Sequence, residues 1–252
     1  MAALCTLLAL DTSTDVMSIA VSRADPQAPR VWQHTAAGGA KASTGLIPAV
    51  LDLLQQAGLA LRELDAICFG SGPGSFTGLR TACAVAQGLG FGAGVPLLGV
   101  NSLLAIAEEA RTQLADTRPL GAGDIVLSLL DARMEEVYAA AHQWDGQHWT
   151  SLGASRLLRP EDLDFQGLSA MPVCLAGNAF AAYGTRLPPA WQAVPQVECL
   201  PTASAMLRLA PALLAQGQAV AAAQALPAYI RDKVAQTTAE RMAAKAQGSH
   251  PP

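Results

Sequence analysis

The richest set of groups able to handle an anion is the run Gly70-Ser71-Gly72-Pro73-Gly74-Ser75-Phe76-Thr77-Gly78-Leu79-Arg80. Its backbone N–H groups, the start of a following helix and the hydroxyls of Ser75 and Thr77 can cradle a phosphate, with Arg80 the one fixed positive charge nearby. The same glycines equally suit a tight turn that packs a helix closely on a sheet, and the run lacks the G-K-[ST] ending of a P-loop. Two acidic turns, Asp11-Thr12-Ser13 and Asp131-Ala132-Arg133, close apolar runs and offer carboxylates that can serve phosphate and magnesium. No covalent or metal catalyst is visible. His34, His142, His148 and His250 are dispersed without i, i+4 spacing, no Ser-His-Asp set stands out, and the candidate catalytic and metal residues are therefore none. Cys5, Cys68, Cys83, Cys174 and Cys199 form no C-x-x-C, and four of them lie in apolar runs, as expected of reduced core thiols in a cytoplasmic protein.

Positioning these groups requires strands that end at the two aspartates and at Gly70. Residues 4–10 are apolar apart from Thr6, and after the polar turn the run VMSIAVS lies at hairpin distance. Residues 43–57 have the helical period, with Ser43 or Thr44 as cap and Gly58 beyond the end. LDAICFG reads as a buried strand, TACAVAQGLGFGAG as a small-residue helix, VPLLGV as a strand, and a further helix begins near Ser102. A second series opens with IVLSLLDAR and MEEVYAAAHQW, so that strand, Asp turn and strand occur twice, as a duplicated two-lobed α/β fold requires. PVCLAGNAF then reads as a strand ending in a glycine turn, and residues 204–217 as a helix that Pro211 should kink.

The composition bounds the partners. Of 252 residues, 51% are hydrophobic and 14% charged, against roughly 25% charged in ordinary soluble domains, so part of the surface is expected to be apolar. A net charge of −4 disfavours a general nucleic-acid binder. The one basic concentration, Arg231, Lys233, Arg241 and Lys245, is interrupted by Asp232 and Glu240. Two uncharged windows, 81–107 and 209–230, carry too many glycines, prolines and glutamines for membrane spans, and MAALCTLLAL has no basic residue ahead of it. In the helix over 43–57, Leu53, Leu46, Val50, Leu54, Ile47 and Leu51 fill an arc of roughly 160°, wider than the ~100° stripe that faces one core. Part of that helix is thus expected to meet a second surface, although the chain's own sheet and neighbouring helices could cover the whole arc.

LALDTSTDVMSIAV, then GSGPGSFTGLRTACAVAQGLGFGAGVPLLGVNSLLAIA, SLLDARMEEVYAA and LPAYIRDKVAQTTAER, in that order, resemble the TsaB (YeaZ) family from near the N-terminus to about residue 241. The resemblance implies the two-lobed fold of actin, sugar kinases and heat-shock chaperone ATPases, with lobes at 1–104 and 105–252, a helix near 203–216 packing back on the first lobe, and a flexible tail over 242–252. It implies a non-catalytic subunit for N6-threonylcarbamoyladenosine formation beside the tRNA anticodon, paired with its paralogue TsaD and working with the small ATPase TsaE. tRNA is met through that complex, ATP is used by the wider complex and not held by this chain, and the isolated chain can form a homodimer. Where TsaD has a metal-binding histidine pair, this sequence has Ser102 and Ile106, neither a transition-metal ligand of any strength.

The docking surface implied for TsaD comprises Leu46, Ile47, Val50, Leu53 and Leu54 with Ala82 and Ala86 of the next helix, whose small residues permit a four-helix contact. Asp11, Thr12, Ser13, Gly72, Pro73, Gly74, Ser75, Thr77, Gly78, Arg80, Asp131 and Arg133 are family-motif or anion-binding candidates. Tyr229, Arg231 and Lys233 form a C-terminal motif, in which Arg231 and Lys233 are expected to meet an acidic or phosphate-bearing partner. Two departures stand out: Ala42 replaces a histidine common in the family, and Gly177-Asn178-Ala179 replaces a glycine-acid-glycine turn, bringing a Cβ where a nucleotide ring would approach. The alternative is an actin-like-fold ATPase or kinase using Asp11, Asp131 and the glycine loop.

Overall fold

The structure is a computed structural model that describes residues 5–25, 30–39, 42–164 and 168–231. Five strands, β1 (Leu7–Asp11), β2 (Val16–Arg23), β3 (Arg30–Ala37), β4 (Ala66–Gly72) and β5 (Leu97–Asn101), form a first sheet in the order β3-β2-β1-β4-β5. Helix α1 (Ala42–Ala57) follows β3, α2 (Phe76–Ala93) joins β4 to β5, and α3 (Ser102–Gln113) leads out of the sheet. The second sheet holds β6 (Ile125–Arg133), β7 (Glu136–Trp144), β8 (Trp149–Ser151), β10 (Cys174–Gly177) and β11 (Gln196–Glu198) in the order β11-β10-β6-β7-β8, with β9 (Arg156–Leu158) also pairing with β7. Short helices α4 (Phe180–Tyr183) and α5 (Pro189–Gln192) follow β10, and α6 (Ala203–Ala215) is the last α-helix among the described residues.

The two sheets repeat one wiring. β1 pairs antiparallel with β2 and parallel with β4, as β6 pairs antiparallel with β7 and parallel with β10. Both aspartate turns therefore stand at the same place in their lobes. β1 and β4 are buried along nearly their whole length because helices cover both sheet faces, which is why they read as continuous apolar runs. On one face α1 and α2 pack against Leu8, Leu10, Ile19, Ile67 and Phe69. On the other, Met206, Leu209 and Ala210 of α6 pack against Leu7, Ala9, Cys68 and Val100. α6 runs as one helix through Pro211.

This packing corrects the docking surface. Leu46, Val50, Leu53 and Leu54 are at most 3% exposed, Ala82 and Ala86 are fully buried, and all six lie in the core cluster between the first sheet and its helices. The sheet of this same chain covers them, at about 1.5–3 kcal/mol for each fully buried large side chain. Only Ile47, 45% exposed, keeps a free surface. β3 goes unread in the sequence because it is a solvated edge strand with no clean apolar alternation.

Candidate functional site

Between the lobes lies a cleft of ≈ 250 Å³. The first lobe contributes Ser13–Asp15 and Pro73–Phe76; the second contributes Leu130–Met134, Tyr138 and Asn178; residues 228–231 form another wall. Asp15, Ser75, Asp131, Arg133 and Arg231 are thus brought together, whereas Asp11, Thr12, Gly72, Thr77, Gly78 and Arg80 do not line the cleft.

The glycine loop owes its composition to close packing. A Cβ on Gly78 would stand 1.8 Å from the Thr12 carbonyl oxygen, and one on Gly74 would stand 2.7 Å from the Ser13 oxygen. The loop is laced to the first aspartate turn. Ser75 N–H donates to Ser13 O at 2.8 Å, and Thr12 Oγ1 donates to Gly78 O at 2.7 Å. Ser75 also caps α2, its Oγ accepting a long 3.5 Å bond from Gly78 N–H. Pro73 has no N–H to offer. Donors that sequence reading makes available to a phosphate are in this way partly consumed inside the first lobe.

Asp11 is sealed. It has no exposed surface; Ser13 N–H and Oγ donate to its Oδ1 at 2.9 and 2.7 Å, and its Oδ2 has no partner among the described residues. Burial, opposed by the two Ser13 bonds, pushes its carboxyl up to about 6. Oδ2 fills the space over Gly70, where an added Cβ would stand 1.9 Å from it. A carboxylate so enclosed cannot reach a phosphate-bound cation in the cleft, and the volume is below the roughly 300–1,000 Å³ typical of small-molecule sites.

Asp131 faces the cleft instead. Its Oδ1 accepts from Arg133 N–H at 2.7 Å and from Tyr183 Oη at 3.1 Å, and its Oδ2 stands 3.2 Å from Arg133 Nη1. Arg133 also bonds Asp15, an ion pair across the cleft mouth. Asn178 lines the cleft and its Oδ1 accepts from Asp131 N–H at 2.9 Å, but Ala179 is 1% exposed within the second-lobe core. The Ala179 methyl therefore does not project toward a nucleotide, contrary to the expectation from sequence.

The C-terminal motif is engaged by the chain itself. Arg80 stacks 3.8 Å from the Phe76 ring centroid and donates from Nε to Tyr229 Oη at 3.0 Å. Arg231 Nη2 pairs with Glu136 Oε2 at 2.5 Å, so within the chain this guanidinium already holds a carboxylate. Lys233 and the tail over 242–252 lie outside the described residues. Ser102 and Ile106 are fully buried, Ile106 in the cluster between α3 and the second sheet, and among the described residues no group of three or more His, Cys, Asp or Glu side chains could hold a metal.

Large apolar side chains do reach solvent on the neighbouring helices α1 and α2, Ile47 and Leu51 on the first and the 81% exposed Phe91 on the second, where Ala84 and Gly88 are exposed as well. Sequence reading groups Ala84 and Gly88 with Ala82, Cys83 and Ala86 as small residues for a close helix contact, without separating the exposed ones from the buried ones, and it misses Phe91. The signal available was spacing: Ala84, Gly88 and Gly92 recur every four residues, out of phase with the buried Ala82, Ala86 and Gly90.

A family model described as TsaD, tRNA N6-adenosine threonylcarbamoyltransferase, matches residues 34–249. The tRNA threonylcarbamoyladenosine biosynthesis protein TsaB of Escherichia coli (strain K12) is 33% identical over 250 residues, covering 91% of this chain and 96% of its own. Its counterpart in Haemophilus influenzae is 31% identical over 252 residues, covering 91% and 94%. Among solved structures, YeaZ from Pseudomonas aeruginosa superposes with a TM-score of 0.78 at 36% identity, over 89% of this chain and 99% of that one. With these relatives, the duplicated sheets are those of the two-lobed actin-like α/β fold. On sequence and fold together, the chain belongs to the TsaB (YeaZ) family of tRNA threonylcarbamoyladenosine biosynthesis proteins.

Proposed function

We propose that this chain is a non-catalytic subunit in the formation of N6-threonylcarbamoyladenosine in tRNA, docking on a TsaD-type paralogue through the outer face of α1 and α2 and recruiting a TsaE-type ATPase. The observation that carries the reading is the exposure of Ile47 and Leu51 on α1 and of Phe91 on the neighbouring α2, where the exposed Ala84 and Gly88 allow a partner helix to approach closely. Ser102 and Ile106 supply no metal ligand where the transferase has its histidine pair, which assigns the transfer step to the partner. Asp11 is enclosed, so the chain holds no nucleotide of its own and ATP is consumed by the TsaE-type subunit. tRNA meets the assembly, and in the partner's absence the same face pairs two copies of this chain.

The test is Ile47→Asp with Leu51→Asp in the full chain, mixed with the cognate TsaD and weighed by light scattering. The variant is expected to fold with nearly unchanged melting temperature and to lose the heterodimer, because two charges would be stranded in a desolvated contact. Val50→Asp is the control, expected to unfold the chain since Val50 lies in its own core. Retained assembly and tRNA modification by the Ile47/Leu51 variant would sink the proposed face.

A further inference from the structure

Residues 225–231 run from the core of one lobe to the core of the other. At the near end Ala225 is buried in the first-lobe cluster, and its carbonyl accepts from Gln87 Nε2 at 3.0 Å. Three residues on, Ala228 N–H donates to Ser71 O at 2.7 Å, extending the hydrogen bonding at the end of β4. Gly72 is a glycine partly for this reason, since a Cβ there would stand 2.6 Å from Ala228 O. Tyr229 then stacks on Phe76 at 5.2 Å between centroids. The far end belongs to the second lobe. Ile230 packs on the cluster built from α3 and the second sheet, and Arg231 binds Glu136 Oε2 and reaches Arg133 O at 3.5 Å, on either side of the β6–β7 turn.

We infer that residues 225–231 form an interlobe latch, holding the two lobes closed from within the chain at the cleft where an actin-like fold would otherwise open and shut around a ligand. Two lobes joined by modest contacts move relative to one another by default. Here α3 and α6 already meet, with Arg208 paired to Glu108 and Glu109, and a segment anchored at both ends limits that freedom further at the cleft, because releasing it requires giving up core contacts on one side or the other. The Tyr229–Phe76–Arg80 stack fixes the segment to the first lobe, and Ile230 with Arg231 fixes it to the second. The inference rests on these contacts alone and holds whichever partner the outer face of α1 and α2 meets.

A latch differs from a surface tail in one measurable respect: loosening either end frees both. Backbone hydrogen exchange would be followed in the full-length chain at Ala228 and Ser75 in the first lobe and at Arg133 in the second. Tyr229→Ala and Arg231→Glu, made separately, are each expected to speed exchange at all three amides by about tenfold with global stability largely kept. The charge swap Glu136→Arg with Arg231→Glu should restore protection at all three. The proposal is overturned if each variant frees only the amides of its own lobe, if neither changes exchange, or if the swap fails to restore it.

Discussion

The two aspartate turns begin from the same local chemistry and end in different states. In each, Oδ1 of the aspartate accepts the N–H two residues on, from Ser13 in the first lobe and from Arg133 in the second. Beyond that bond they diverge. Asp11 is covered by the glycine loop and by α6, whose Met206 Cε would lie 3.2 Å from a Cβ on Gly70; it faces no cation. Asp131 has no such lid, keeps part of its carboxylate open to the cleft, and holds Arg133 and Tyr183. A duplicated sequence signal thus marks a duplicated strand end, while the helix packed over it decides whether the carboxylate can do chemistry with a ligand.

The sharpest way to break the pairing is at the glycine that adjoins each strand. On Gly177, whose φ is +139°, a Cβ would meet the Leu129 carbonyl oxygen at 1.9 Å, and backbone cannot swing aside. Gly177→Ala is expected to cost more than about 4 kcal/mol in urea denaturation, with no compensating side-chain deletion available. On Gly70 the obstacle is the Asp11 side chain, so Gly70→Ala should cost about 3 kcal/mol, and part of that should return when Asp11→Ala is added. A double-mutant cycle with no coupling between positions 11 and 70 would contradict the packing described for Asp11.

The pH dependence of stability separates the turns next. The Asp11 pKa is raised to about 6 by burial, so the folded state binds its proton more tightly than the unfolded chain does. Its contribution is largest below pH ~4 and is lost as pH rises through about 6, a fall on the order of 2–3 kcal/mol. His142 works the other way: burial lowers its pKa to about 4, so the unfolded chain takes up the proton first and stability is lost as pH falls from ~6.5 toward 4. The wild-type curve is accordingly flattened between pH 4 and 6. Asp11→Asn should unmask a rise in stability with pH across that window. A wild-type-minus-variant difference that stays level, or climbs with pH, would show that Asp11 is not held out of water.

Much of this arrangement is legible from residues alone, and the parts that are not share a cause. The strands that lead to Asp11, the glycine loop and Asp131 are readable because apolar runs give way there to polar turns, although β4 runs two residues past Gly70 to Gly72, and the helix over 43–57 is readable because its period is plain. The facing of that helix is not. Leu46, Val50, Leu53 and Leu54 form a stripe sufficient for one core, and Ile47 and Leu51 widen it outward, but the wheel alone does not say which edge meets the sheet. Sequence reading places Ala82 and Ala86 at the interface for the same reason: small residues line both sides of α2, and only packing distinguishes Ala82 from Ala84. The reach of residues 225–231 across both lobes is a matter of tertiary position, since an LPAYIR run carries no periodic signal.

The smallest difference lies in the backbone of the turns themselves. Arg133, Met134 and Glu135 have φ of 59°, 55° and 63°, three successive non-glycine residues in the left-handed region, whereas no residue of the first turn has a positive φ. For an L-residue that conformation costs on the order of 1 kcal/mol, and glycine adopts it freely, although glycine also gives the unfolded chain more freedom to lose. Met134 is 69% exposed, so replacing it removes little burial. Met134→Gly is therefore expected to raise stability by a few tenths to about 1 kcal/mol. Thr14→Gly, at the first turn, should lower it by about 1 kcal/mol, since it brings only the entropic cost and removes the 3.2 Å bond from Val16 N–H to Thr14 Oγ1. Urea midpoints compared at constant slope would read both changes. Two shifts of the same sign would mean that the second turn is not strained relative to the first, and that the left-handed run at its tip is offset by contacts of Met134 with Arg231.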